Sequence, residues 1–154
     1  ITTNTVSEAS MNGEYVTRSP EETHALGRRL GEVLASLPGP VIIAYRGGLG
    51  AGKTAFTRGF ARGLGNTSYV SSPTFALVND YGGNPQLVHF DMYKVDSWDD
   101  LYSSGFFDYY DMGAILCTEW SENIENALPD DTIYVEFTRI DDEKREITIT
   151  KKGE

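Results

Sequence analysis

Val41-Ile42-Ile43-Ala44-Tyr45-Arg46-Gly47-Gly48-Leu49-Gly50-Ala51-Gly52-Lys53-Thr54 decides the reading of this chain. Its first five residues are β-favouring and lack polar alternation, as in a strand covered on both faces. Gly47 to Thr54 then satisfies G-x-x-x-x-G-K-[ST] at every fixed position. Glycines there let successive backbone N–H groups turn inward and form a positively polarised nest, reinforced by the N-terminus of the helix that follows. That nest suits a polyphosphate. Lys53 is expected to reach the β- and γ-phosphates, and the Thr54 hydroxyl to ligate Mg²⁺ bridging them. Glycine-rich turns between strand and helix also exist without a ligand. Here the loop follows an apolar strand, opens a helix and lies in the one strongly basic stretch of an acidic chain.

The charge distribution supports that distinction. The 154 residues carry a formal net charge of −10, which disfavours stand-alone binding to DNA or RNA because such binding depends on many Lys and Arg contacts. From Thr23 to Gly65, however, Arg28, Arg29, Arg46, Lys53, Arg58 and Arg62 face one acid, Glu32, a local balance of +5. From Asp91 to Asp111 six aspartates face Lys94 alone, a balance of −5. With 40% apolar residues the composition is that of one ordinary globular domain. The single cysteine, Cys117, sits in an apolar run and is read as a small core side chain. No stretch approaches the roughly 20 apolar residues of a membrane span, so we expect a cytoplasmic protein without a membrane partner. Residues 1–12 are expected to form a disordered extension to a domain spanning 13–154.

Working outward, Gly13 to Arg18 reads as a short strand. Ser19-Pro20-Glu21-Glu22 supplies an N-cap hydroxyl, proline at N1 and a capping-box glutamate. Leu26, Leu30, Val33, Leu34 and Leu37 follow at helical spacing, before Pro38-Gly39-Pro40 stops the helix. The second helix is expected from Lys53 to Leu64, ended by a left-handed Gly65. Thr74 to Tyr81 and Gln86 to Asp91 read as a hairpin turning at Gly82-Gly83. Short helices are expected from Ser97 and from Ser121, a buried strand at Ala114 to Glu119, and a last hairpin of Thr132 to Ile140 with Glu143 to Thr150. The predicted fold is α/β, a single P-loop NTPase-like domain whose mixed parallel and antiparallel sheet is flanked by helices.

Acids at strand ends are the next candidates, because ligands of α/β sheets lie outside the carboxyl ends of the strands. Asp91 closes its strand and is placed to hold Mg²⁺ directly or through water; the alternative is a loop cap. His89 shares its strand face with Asp91 and is read as a hydrogen-bonded core histidine. Glu119 ends the next buried strand, where it can bind Mg²⁺ or orient the attacking water. Trp120 either covers the site, meets a partner or simply packs. Thr74 is either a switch threonine that senses the γ-phosphate and its metal, or a β-branched strand start after a plain turn.

Gly47-Gly48-Leu49-Gly50-Ala51-Gly52-Lys53-Thr54, Ser72-Pro73-Thr74-Phe75, His89-Phe90-Asp91-Met92-Tyr93, Glu119-Trp120 and Arg145-Glu146-Ile147-Thr148 together resemble the bacterial TsaE (YjeE) family, from about Ser19 to Thr150. The resemblance implies an ATPase required for threonylcarbamoyladenosine in tRNA, acting with the TsaB–TsaD complex and meeting tRNA only through those partners. It implies a nucleotide site running from Gly47 through Ala55. Lys53 and Thr54 would act on phosphate and Mg²⁺, Glu119 as a metal ligand, and Asp91 and Trp120 in the active region. Thr23 and Arg145 would lie near the base or sugar. Two positions depart from the family pattern: Gly48 stands where an acid is usual, and Lys94 where an arginine is usual. Lysine cannot reproduce a bidentate guanidinium contact.

Two other functions share these motifs. A small-molecule P-loop kinase would need cations around its acceptor, whereas the middle of this chain is acidic. A nucleotide-gated binding subunit with little turnover would use the same loop to stabilise a partner-ready state. A GTPase would carry N-K-x-D, which is absent.

Overall fold

The computed structural model describes residues 12–36, 40–48, 51–67, 78–83, 85–90, 105–119, 128–129 and 131–151, with the backbone alone at 78 and 119. Strand β1 is Gly13–Thr17, helix α1 Pro20–Ala35, β2 Val41–Arg46 and α2 Lys53–Gly63. Strands β3 (Val78–Gly82) and β4 (Leu87–Phe90) follow, then helix α3 (Phe106–Asp111), β5 (Ile115–Glu119), β6 (Ile133–Arg139) and β7 (Arg145–Lys151).

The start of α1 follows from local chemistry. Ser19 is extended, its hydroxyl accepts from Glu22 N at 3.1 Å, and Pro20 occupies the first turn. Glu22 reaches back one residue further than a standard capping box, accepting from Arg18 N at 2.8 Å. Leu26, Leu30 and Leu34 are buried as their spacing predicts.

Among the described residues, one seven-stranded sheet runs in the order β1-β7-β6-β2-β5-β4-β3. Strands β4, β5, β2 and β6 pair in parallel, while β1, β7 and β3 join antiparallel at the two sides, so the expected mixed sheet forms. The unbroken apolar run of β2 is explained by its central place. Ile43 and Tyr45 enter the core beneath α1 and α2, while Ile42 and Ala44 enter a second core with Val88, Phe90, Leu116 and Phe106 on the opposite face.

Helices α1 and α2 approach until backbone meets backbone. A Cβ on Gly27 would lie 2.0 Å from Phe56 O, and one on Gly31 2.3 Å from Phe60 O. From the other helix, a Cβ on Gly59 would lie 1.9 Å from His24 O, and one on Gly63 2.2 Å from Arg28 O. Two G-x-x-x-G spacings therefore interlock, and α2 is held against α1 with no side chain between.

Several boundaries differ from expectation. Strand β7 begins at Arg145 rather than Glu143, because Asp141 Oδ1 accepts from Glu143 N at 3.0 Å and Lys144 N at 2.7 Å and holds those residues in the turn. A bulge between Asp80 and Gly82 shifts the register of the β3–β4 hairpin. Helix α3 was not anticipated. The helices expected from Ser97 and Ser121, and the first half of the strand expected from Thr74, lie outside the described residues. At the other end, Asn12 Oδ1 accepts from Lys151 N at 2.9 Å.

Candidate functional site

Strand β2 delivers the chain to the loop at the carboxyl edge of the parallel strands, and α2 carries it away. Two of the loop glycines are required for different reasons. At Gly47 a Cβ would stand 2.9 Å from Phe137 O and 3.0 Å from Phe137 Cβ, so β6 excludes any side chain. Gly52 caps α2 in the left-handed region, φ 101°, which other residues rarely adopt. A Cβ on Gly48, by contrast, meets nothing within 4 Å. Glycine at this position is therefore not enforced by packing.

The two helix starts differ in a way that matters chemically. Helix α1 has a serine cap and two glutamates in its first turn, so its polarised end is already served by oxygen atoms. Helix α2 has a glycine cap with no side-chain hydrogen bond and no acid in its first turn. Its first turn is followed by an ordinary helical bond from Phe56 N to Gly52 O at 3.0 Å. The Lys53 ammonium donates to Gly47 O at 2.8 Å, which folds the side chain back across the loop it leaves. Ala51 N donates to Gly48 O at 3.3 Å. Positive charge and a polarised helix start are thus concentrated at one point, and a polyphosphate matches both. Thr54 and Ala55 are half-buried in the first turn.

Thr23 and Arg145 are brought to this loop from distant parts of the chain. Thr23 Cγ2 would contact a Cβ on Gly52 at 3.4 Å, and Arg145 Cγ at 3.8 Å. Thr23 is buried, and its hydroxyl lies 2.7 Å from that of Thr17 on β1. Arg145 pairs in register with Thr17 and with Arg139. Its guanidinium donates to Asp141 O at 2.7 Å, Lys144 O at 3.1 Å and Asp142 O at 3.2 Å. The backbone N–H donors of Lys144 and Glu143 hold the Asp141 carboxyl below its usual range, so the turn that receives Arg145 is anchored by a carboxylate.

Glu119 ends β5 and pairs with Tyr45, two residues before Gly47, so its backbone stands beside the entry to the loop. His89 is buried on β4, edge-on to Tyr45 with ring centroids 6.4 Å apart, in keeping with a core role. Cys117 is buried, also as expected. Leu49, Gly50, Thr74, Asp91 and Trp120 lie outside the described residues. The interlocked glycines of α1 and α2 were missed from sequence, although the repeated four-residue spacing of Gly27 with Gly31 and Gly59 with Gly63 was the available signal.

Comparison with known proteins gives a consistent result. A family model described as threonylcarbamoyl adenosine biosynthesis protein TsaE matches residues 17–147. The tRNA threonylcarbamoyladenosine biosynthesis protein TsaE of Bacillus subtilis (strain 168) is 40% identical over 141 residues, covering 91% of this chain and 86% of the relative. Its namesake in Treponema pallidum (strain Nichols) is 34% identical, covering 87% and 97% respectively. The crystal structure titled Bacillus subtilus YdiB superposes with a TM-score of 0.70 at 32% identity, over 94% of this chain and 88% of that one. With a family model spanning all but the margins of the fold and relatives matched along nearly their whole length, this chain belongs to the TsaE family.

Proposed function

We propose that the protein is a magnesium-dependent ATPase that supports threonylcarbamoyladenosine modification of tRNA together with the TsaB–TsaD complex, in the cytoplasm. The observation that carries this reading is the loop between β2 and α2. There a glycine cap, an acid-free first helical turn and an ammonium group 2.8 Å from Gly47 O converge. Lys53 would exchange its carbonyl contact for β- and γ-phosphate oxygens, and Thr54 and Glu119 would hold the metal. Bound Mg²⁺ supplies charge neutralisation between the phosphates. Asp91 would complete the metal site, Thr74 would sense the γ-phosphate, and Trp120 would border the active region. Thr23 and Arg145, lying against Gly52, would border the nucleoside.

No helix among the described residues is long and apolar enough to cross a membrane. A net charge of −10 supports action on tRNA through protein partners rather than by direct RNA contact. The acidic stretch from Asp96 to Asp111 would help to orient those partners, and charge reversal there should reduce partner-stimulated hydrolysis.

Calorimetry with Mg-ATP, followed by phosphate release with and without TsaB–TsaD, tests the reading. Wild-type protein should bind and hydrolyse ATP, faster with partners, and Lys53→Ala should lower affinity by about a hundredfold or more, given the strength of charge-assisted contacts. Absence of Mg-ATP binding by the folded wild type would refute it. Binding without stimulated turnover would replace hydrolysis with nucleotide gating.

A further inference from the structure

Beneath the loop, three elements are joined by side chains to which the reading above assigns no role. The Thr57 hydroxyl, on the second turn of α2, lies 2.8 Å from Lys53 O and 3.0 Å from the Tyr45 hydroxyl. The Tyr45 hydroxyl in turn lies 3.6 Å from Cys117 Sγ on β5, and one proton per group serves all three contacts when Cys117 donates to Tyr45, Tyr45 to Thr57 and Thr57 to Lys53 O. All three side chains are buried: Tyr45 and Cys117 are 0% exposed and Thr57 1%. The chain of contacts therefore runs from the carbonyl of the phosphate-loop lysine, through the last core residue of the strand entering the loop, to the strand that ends at Glu119.

Packing alone does not call for that hydroxyl. The Tyr45 ring meets Phe56 and Phe137 edge-on, with centroids 5.9 Å and 5.6 Å apart, and phenylalanine would make the same contacts without desolvating an O–H group. What the hydroxyl adds is a fixed distance between elements. Tyr45 is in register with Glu119 in the parallel β2–β5 pair, so the contact spans the side of the sheet where loop and acid strand must keep their spacing.

We propose that Tyr45, acting through Thr57, is a positioning residue that fixes the first turn of α2 relative to the end of β5. This rests on the ATPase reading for its effect on turnover, but not for its effect on the fold. Phosphate affinity is set by the loop amides and Lys53, which the relay does not supply. Turnover depends on the relative placement of groups on two elements, where small displacements carry large rate penalties.

Hydrolysis, Mg-ATP calorimetry, thermal melting and amide hydrogen exchange on Tyr45→Phe, Thr57→Val and the double variant test this. Each single variant should lower kcat about tenfold while leaving the Mg-ATP Kd within about twofold. The double variant should fall no further than either single one, because both cut the same relay. Thr57→Ser, which keeps the hydroxyl, should restore turnover. Exchange should accelerate at residues 53–57 and 115–119 together in both single variants, whether or not the wild type hydrolyses ATP. Unchanged exchange in folded Tyr45→Phe overturns the relay. So do unchanged kcat in an active wild-type background, additive losses, or losses of Kd and melting temperature in step with kcat. A wild type that binds no Mg-ATP refutes the functional reading separately, and the exchange data alone then decide on the relay.

Discussion

Both faces of the sheet pack on aromatic rings, but the helices that cover them are held differently. On one, α1 and α2 meet through four glycines with backbone atoms as the contact surface. On the other, Phe90 packs against Phe106 and Tyr109 with ring centroids 5.2 Å and 5.7 Å apart, beneath the short helix α3. Rings can tilt and slide to absorb a changed neighbour, whereas a carbonyl in a helix cannot. The face with the interlocked helices is the one that carries the glycine-rich loop before α2. On the proposed reading, an element whose first turn would present amides and a lysine in fixed places is set against a neighbour that admits little adjustment.

Substitutions on the two faces should separate these principles. Gly59→Ala places a carbon 1.9 Å from His24 O and should destabilise the protein by about 3 kcal/mol or more, since overpacking against backbone is relieved only by moving a helix. Phe106→Leu, which removes several atoms from the aromatic face, should cost less, about 1 to 2 kcal/mol, and leave Mg-ATP affinity unchanged. Chemical denaturation of both variants checks the order, and equal costs would abolish the distinction between the faces.

Within the loop, two adjacent glycines should behave differently. Gly47→Ala forces a carbon to within 2.9 Å of Phe137 O and should weaken Mg-ATP binding and cost about 1 to 3 kcal/mol. Gly48→Ala has open space and should change stability by less than about 0.5 kcal/mol. Paired melting and binding measurements compare them.

The smallest expected effect is at Asp141. Its carboxyl pKa is lowered by the N–H groups of Lys144 and Glu143, so its stabilising contribution is present above the ordinary value of 3.8 and is lost as pH falls through the lowered one. Asp141→Asn should therefore melt slightly below wild type at neutral pH, with the gap closing in acid. A gap that widened on acidification would contradict this assignment.

The strand, glycine-rich loop and helix of residues 41–63 were legible in the sequence because their signals are local. Glycines, lysine and threonine must stand at fixed spacing for amides to converge, and a strand buried on both faces cannot hide its apolar run. Strand order was not legible: nothing in Val41 to Arg46 says that its neighbours are β5 and β6, a choice made by side chains far along the chain. Helix α3 escaped because Phe106 to Asp111 is too short to show a helical period and starts from a left-handed glycine rather than a capping hydroxyl. Arg145 came to Gly52 through a turn held by Asp141, a coupling between two sequence neighbourhoods that only the folded chain displays.

The central place of β2 also dictates when the protein becomes competent during its synthesis. Ile43 must wait for Cys117 on one side and Ile133 on the other, and Gly13 of β1 for Ile149 of β7. At ribosomal speeds of about 5 to 20 residues per second, the greasy segment leading into the loop spends several seconds without its partners. The emerging polypeptide thus exposes an apolar strand before the sheet that holds the Gly47–Thr54 loop can close around it.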